Sequence, residues 1–290
     1  MRVLITGCKG QVGYCLTEKL AGQVELLALD SEQLDITDAV AVDKTVAEFK
    51  PDFILNAAAY TAVDRAEEEK ELAYAVNCEG PRNLARSAHL YDSVLLHLST
   101  DYVFDGEGGT AYHENHTPNP QSVYGASKLA GEIAVAEECN QHLIMRTAWV
   151  FGEHGNNFVK TMLRLGLSHN QLSIVGDQYG SPTYAGDIAD ALIAMMLHVA
   201  SGKQTAWGVF HYSGAPYVSW FQFAQRIFDA AKSNVVLAQT PSLKSITTAE
   251  YPTPAKRPAN SRLNCEKIQS QFDIKPSDWQ KALTNISAYK

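Results

Sequence analysis

Cysteine is scarce in this chain. There are five in 290 residues, and no two form a CxxC pair. Cys8, Cys15, Cys78, Cys139 and Cys265 are scattered and odd in number, which implies neither a disulfide framework nor a cysteine zinc site. Reduced thiols in a cytoplasmic protein are expected. Long apolar runs are missing as well, and no stretch approaches the length that a bilayer-spanning helix needs. The opening "MRVLITG" passes from one arginine into a β-branched run and a glycine, which reads as a strand and a turn and not as a signal peptide. Basic residues are in deficit: 24 Lys and Arg against 32 Asp and Glu leave a net charge of −8. A chain of that sign does not neutralise a phosphate backbone, so nucleic acid is set aside as a partner, although local donors can still hold a small anion.

What is present points to a folded α/β protein. At 46% apolar residues the chain can bury a core. Short apolar runs at 2–6, 24–30, 52–58, 93–99 and 142–151 have the length of buried strands, and helical patterns over 11–22, 38–49, 67–90 and 125–138 separate them. Such alternation predicts a Rossmann-type, doubly wound parallel sheet covered on both faces. "GP" at 80–81 is expected to bend or divide the longest helix. After residue 150 the pattern becomes mixed, a strand is expected near "GVFHYSG", and the proline-punctuated region 240–262 reads as a loop. The expected division is a dinucleotide-binding domain over 1–150 and a smaller α/β substrate-binding part over 151–290, interleaved with the first.

"LITGCKGQVG" sets Gly7, Gly10 and Gly13 between the first strand and the first helix. Glycines there let backbone N–H groups approach a pyrophosphate, which the helix N-terminus also attracts. The plainer reading is a tight strand-to-helix turn. Asp30 closes the second strand, where a carboxylate binds the adenosine ribose hydroxyls and repels a 2′-phosphate. Neither Ser31 nor Glu32 offsets it, so NADH is expected to be favoured over NADPH. Asp35 and Ile36 fall where the chain would return over the adenine.

"SVYGASKLAGE" at 122–132 places Tyr124 four residues ahead of Lys128, on one helical face. A phenol with a pKa near ~10 is too weak an acid for neutral pH, and an ammonium beside it favours the phenolate. Such a pair also occurs by chance. "LSTDYVFDG" strengthens it, because Ser99 and Thr100 lie at the carboxyl end of the fourth strand, where parallel sheets bind ligands.

Together these features resemble the extended short-chain dehydrogenase/reductases. More narrowly, "NAAAYTAVDRAE", "LSTDYVFDG", "VYGASKLAGE", "RTAWVFG", "GNNFV", "DQYGSPTY" and "RPANSRL", in that order, resemble the dTDP-4-dehydrorhamnose reductase family. The resemblance implies hydride transfer from NADH or NADPH to C4 of a dTDP-linked 4-keto-6-deoxy sugar, with Tyr124 as the proton donor. It implies that Thr100 polarises the keto oxygen, that Asp101 and Trp149 touch the sugar, and that Lys128 holds the nicotinamide ribose. Cofactor contacts implied are Gly10, Gln11, Val12, Asp30, Asp35, Ile36, Ala59, Tyr60 and Thr61. For Trp149, core packing at a strand end is an equal alternative. Some members form a magnesium-linked dimer, but here Cys15 and Gly186 occupy the positions of two glutamate ligands. No metal is expected through that arrangement, and any homodimer would lack a metal link. His113 and His116, in "YHENHTPNP", are expected on the surface.

Two other readings share these residues. A nucleotide-sugar epimerase or dehydratase would use the same Tyr and Lys, with Asp101 as an acid–base group. A non-catalytic regulatory subunit could keep the fold, although it would have no need of Thr100, Tyr124 and Lys128 together.

Overall fold

A computed structural model describes residues 1–289. The first half runs β1 (Arg2–Thr6), α1 (Gln11–Leu20), β2 (Glu25–Leu29), α2 (Ala39–Phe49), β3 (Phe53–Asn56), α3 (Lys70–Tyr74), α4 (Gly80–Leu90), β4 (Val94–Thr100), α5 (Val123–Glu138) and β5 (His142–Thr147). The second half adds β6 (Val150–Phe151), α6 (Phe158–Gly166), β7 (Gln171–Val175), β8 (Tyr179–Gly180), β9 (Thr183–Tyr184) and α7 (Ala185–Ala200). It continues with β10 (Gly208–His211), β11 (Val218–Ser219), α8 (Trp220–Ser233), β12 (Ser242–Ile246), α9 (Glu266–Phe272) and α10 (Trp279–Ala282).

Six strands make the main sheet in the order β10-β5-β4-β3-β1-β2, and every pairing in it is parallel. The chain winds first from β1 to β2 and then to β3 on the other side of β1. This places a topological switch point between the carboxyl ends of β1 and β3, where such sheets bind ligands. Alternate residues serve opposite faces, as a pleated strand requires. Val3 and Ile5 pack with Leu16, Ile188, Leu192 and Phe210 under α1 and α7. Leu4, Ile54, Leu95 and Ile144 pack with Val42, Val46, Leu84 and Val135 under α2, α4 and α5. Both α7 and β10 come from beyond residue 150, so the second half completes the first half's sheet and one of its covers. A separate core around Phe151, Val159, Phe223, Ile227 and Trp279 holds the smaller part together. Among the described residues no helix is long and apolar enough to cross a membrane.

Three details differ from the sequence pattern. The helical stretch expected over 67–90 is divided at "GP" as expected, but its first part is further broken into a short 3₁₀ turn, α3 and a π-helical turn over Ala75–Glu79 before α4. Pro81 lacks the N–H that a continuous α-helix would aim at the Asn77 carbonyl, and the widened turn falls there. The strand expected to reach residue 151 breaks after Thr147, because Trp149 takes a positive φ of 48° before β6 begins. Within the expected loop at 240–262, Ser242–Ile246 form β12 in parallel with β7. The partner's ladder supplies hydrogen bonds that "SLKSI", with little apolar content, does not announce.

Candidate active site

At the switch point the glycines are set by close approach. Gly7 has φ of +72°, and a Cβ there would stand 2.6 Å from the Ala58 nitrogen, just past β3. A Cβ on Gly13, in the first turn of α1, would lie 2.1 Å from the Gly7 carbonyl oxygen. Gly10 is the N-cap and has no side chain to cover the first N–H groups of α1. A cavity of ≈280 Å³ opens here, walled by Gly7, Lys9, Gly10, Asp30, Asp35, Ile36 and Ala57 to Ala59. This cradle of bare backbone fits a pyrophosphate, and the carboxylates beyond it fit ribose hydroxyls.

Asp30 accepts N–H bonds from Glu32 (2.9 Å) and Gln33 (3.0 Å) and is ion-paired with Lys9, whose ammonium also lies 3.8 Å from Glu32. The hydrogen bond from Lys9 is the largest influence holding the Asp30 carboxyl below its ordinary range. Lys9 therefore supplies a cation that inspection of Ser31 and Glu32 alone leaves out. Asp35 is committed to the Thr37 N–H and hydroxyl at 2.9 and 2.8 Å. The Ile36 side chain is buried against Gly80.

A second cavity of ≈570 Å³ continues from Gly10, Gln11 and Val12 past Ala59 and Thr61 to Thr100, Asp101, Tyr124, Lys128 and Trp149. Ser122 caps α5 by accepting the Gly125 N–H at 3.1 Å, which puts Tyr124 and Lys128 in its first two turns. Gly125 lets the helix touch the turn after β4, since a Cβ would come 2.2 Å from the Tyr102 carbonyl oxygen. Thr100 ends β4. Its hydroxyl accepts the Tyr102 N–H at 3.2 Å and donates to Asp101 Oδ1 at 3.1 Å.

The electrostatics depart from the simplest expectation. Lys128 Nζ donates to the Leu98 carbonyl at 2.6 Å, and burial pulls its pKa down to about 8 against the opposing pull of Glu132. The Tyr124 phenol is pushed up by burial, with Asp101 and Tyr102 adding to the rise and the Thr100 hydroxyl opposing it. Lys128 lines the same cavity as the phenol, and burial is the larger influence on Tyr124. Asp101 is buried and raised to about 6 by that burial.

One expected contact points elsewhere. Tyr60 turns its hydroxyl to Glu69 at 2.5 Å and its N–H to Asn77 Oδ1 at 2.9 Å, and it lies on neither cavity wall. Asn77, on the π-helical turn, returns a bond to the Tyr60 carbonyl and another to Ser127 Oγ, tying the cofactor-side loop to α5. Sequence reading missed this residue. Its only signal was the "GP" just beyond it.

Trp149 stacks on Trp220 with ring centroids 3.5 Å apart, and Gly180 leaves room for the indole. The indole borders the reacting cavity and also a cleft of ≈510 Å³ lined by Tyr102, Phe158, Ile174, Gln178, Trp220 and Arg257. Arg257 donates to the Tyr102 hydroxyl at 3.1 Å and to Asp64 at 2.5 Å. Trp220, Gln178 and Arg257 were not singled out from sequence, although Arg257 opens the quoted "RPANSRL". Burial raises the Cys15 thiol to about 11, and Gly186 sits under the Tyr184 ring. His113 and His116 are exposed. Among the described residues no cluster of His, Cys, Asp or Glu is arranged to hold a metal ion.

A doubly wound parallel sheet with a glycine cradle at its switch point, and a Tyr–Lys pair at the neighbouring strand end, defines a Rossmann-type short-chain dehydrogenase/reductase. Residues 1–289 match the family model described as RmlD substrate binding domain, and the chain belongs to that family. A relative from Aggregatibacter actinomycetemcomitans, named dTDP-4-dehydrorhamnose reductase, is 50% identical over 290 residues, 99% of each chain. The Clostridium acetobutylicum dTDP-4-dehydrorhamnose reductase structure is 39% identical with a TM-score of 0.90, covering 99% of this chain and 98% of that one. The Bacillus anthracis dTDP-4-dehydrorhamnose reductase, solved in complex with NADP, is 39% identical with a TM-score of 0.91, covering 100% and 99%.

Proposed function

We propose that the protein reduces the C4 keto group of dTDP-6-deoxy-L-lyxo-4-hexulose to give dTDP-L-rhamnose, using NADH or NADPH. The observation that carries this reading is that Thr100, Tyr124 and Lys128 meet in one cavity between the glycine cradle and the cleft behind Trp149. It stands in a chain half identical to a named reductase over its full length.

Gly7, Gly10 and the start of α1 would hold the pyrophosphate, Asp30 the adenosine ribose, and Lys128 the nicotinamide ribose. When bound, the reduced dinucleotide supplies the hydride. Thr100 donates to the C4 keto oxygen, and Tyr124 gives that oxygen its phenolic proton as negative charge develops there. The phenol's raised pKa keeps it protonated, and the alkoxide developing at C4 is a strong enough base to take that proton. Lys128, a cation in a dry pocket, steadies the phenolate left behind until solvent returns a proton. Asp101 faces the sugar hydroxyls. Trp149 offers an apolar wall to the sugar, and the nucleotide lies in the neighbouring cleft, where Trp220 suits a base and Arg257 a diphosphate.

The ion pair of Lys9 with Asp30 bears on the choice of dinucleotide. Asp30 alone disfavours a 2′-phosphate, and Lys9 offsets part of that repulsion, so the expected lead of NADH is small. The test is loss of reduced-nicotinamide absorbance on adding dTDP-4-keto-6-deoxy sugar, run across a panel of nucleotide sugars with both dinucleotides. Stoichiometric loss with the dTDP sugar is expected. Cofactor recycled without net loss would identify an epimerase or dehydratase, and no reaction with any sugar would favour a regulatory subunit.

A further inference from the structure

Behind the reacting pair lies a buried charge cluster that the chemistry above does not use. Glu132 stands on α5 four residues past Lys128 and eight past Tyr124, on the same helical face. Its carboxylate accepts Arg146 Nη2 at 2.6 Å, Arg146 Nε at 2.8 Å and Ser99 Oγ at 2.5 Å. The Arg146 and Glu132 side chains are each only 4% exposed. Ser99 and Arg146 face each other across the β4–β5 ladder, and the next pair in register is Thr100 with Thr147. One carboxylate therefore joins the strand end that carries Thr100, the strand end that leads to Trp149 and the helix that carries Tyr124 and Lys128.

We infer that Glu132, held by Arg146 and Ser99, is a positioning residue for the reaction: it sets α5 against β4 and supplies the negative charge that faces the Lys128 ammonium. This rests on the reading of Tyr124 and Lys128 as the reacting pair. A buried ion pair is poor evidence of a stability role, since well-packed apolar residues often serve as well. Its placement one turn behind the ammonium is the second reason to look for another role.

The charges around it can be counted. On α5 are Lys128 and Glu132, and on β5 is Arg146. From β4, His97 faces Lys128, and burial holds it well below its ordinary range and so neutral. From β10, His211 faces Arg146 and is held near 3, chiefly by burial. Lys267 of α9 adds a more distant cation beside Arg146 and is bonded to the Val209 carbonyl. Phe104 lies under the guanidinium at 5.0 Å. Lys128 and Arg146 thus share Glu132, while Lys267 is offset by Glu114, which accepts the His211 N–H at 2.9 Å. If Glu132 is removed, Arg146 cannot shed its proton but Lys128 can.

The test is the pH profile of kcat/KM for Glu132→Gln, read beside thermal midpoint and dinucleotide affinity. The alkaline limb should move down by at least ~1 pH unit, with kcat/KM at pH 8 falling at least ~5-fold. Glu132→Gln leaves Arg146 buried and unpaired and lowers stability. The double variant Glu132→Gln/Arg146→Gln separates the effects, because its thermal midpoint should recover while the limb stays displaced. A limb in the native position in the double variant, or in a folded single variant, overturns the proposal. Should the single variant fail to fold, the double variant decides alone. Near-normal turnover in Tyr124→Phe would instead overturn the reaction assignment, whatever Glu132 does.

Discussion

The two ends of the cleft each contain an ion pair, and the two pairs live in different solvents. At the adenosine end Lys9 reaches Asp30 from a side chain 71% exposed. At the reacting end Arg146 and Glu132 are almost wholly enclosed. Water and salt screen the first pair, so its influence is confined to a ligand placed against it. The second is unscreened, and removing one member costs roughly 3–5 kcal/mol because the other stays behind as a buried charge. The same division runs through the neighbouring groups. Burial moves Tyr124, Lys128 and Asp101 away from their ordinary pKa values, whereas Asp30 responds mainly to its partner. One end offers a ligand shape and bare backbone, and at the other desolvation sets the protonation of the side chains.

The contrast breaks most sharply at the reacting end. Tyr124→Phe removes the proposed proton donor with little change in packing, so turnover should fall at least ~100-fold while dinucleotide affinity barely moves. Steady-state rates and a dinucleotide titration on the same preparation check both halves. At the other end the test is steric. Gly7→Ala forces a methyl group towards Ala58 and should weaken dinucleotide binding by ~10-fold or more. Gly22→Ala is the control: it has a similar φ of +73° and nothing within 4 Å, so it should carry backbone strain alone and leave binding unchanged.

Two smaller effects sharpen the comparison. Lys128 is protonated below its pKa of about 8, so kcat/KM should fall as pH rises through 8, in a profile taken with saturating dinucleotide. A flat profile to pH 9 would mean that the ammonium is not required. Lys9→Gln should lower the NADPH-to-NADH ratio of kcat/KM only ~3-fold, and added salt should shrink even that, as expected of a charge in open water.

Much of the frame was legible from residue order. Apolar runs of strand length, separated by helical periodicity, placed the first five sheet strands, "GVFHYSG" marked the sixth, and "GCKGQVG" marked the glycine turn because glycine spacing reports on backbone approach directly. Tyr124 and Lys128 were legible for a similar reason, since four residues is close to one helical turn. Trp149 stayed ambiguous because a left-handed φ leaves no mark in composition. β12 was obscure because it depends on a partner strand far away in the chain.

Local spacing, then, determined the fold class through the alternation of strand and helix, and it set the glycine turn after β1 and the one-turn spacing of Tyr124 and Lys128. Tertiary structure alone decided that Lys9 covers Asp30, that Tyr60 faces Glu69, that Arg257 reaches Asp64, and that Glu132 lies between Arg146 and Ser99. Desolvation and Coulomb forces act through space between segments up to 193 positions apart. Only the folded chain says which charge meets which and how much water lies between them.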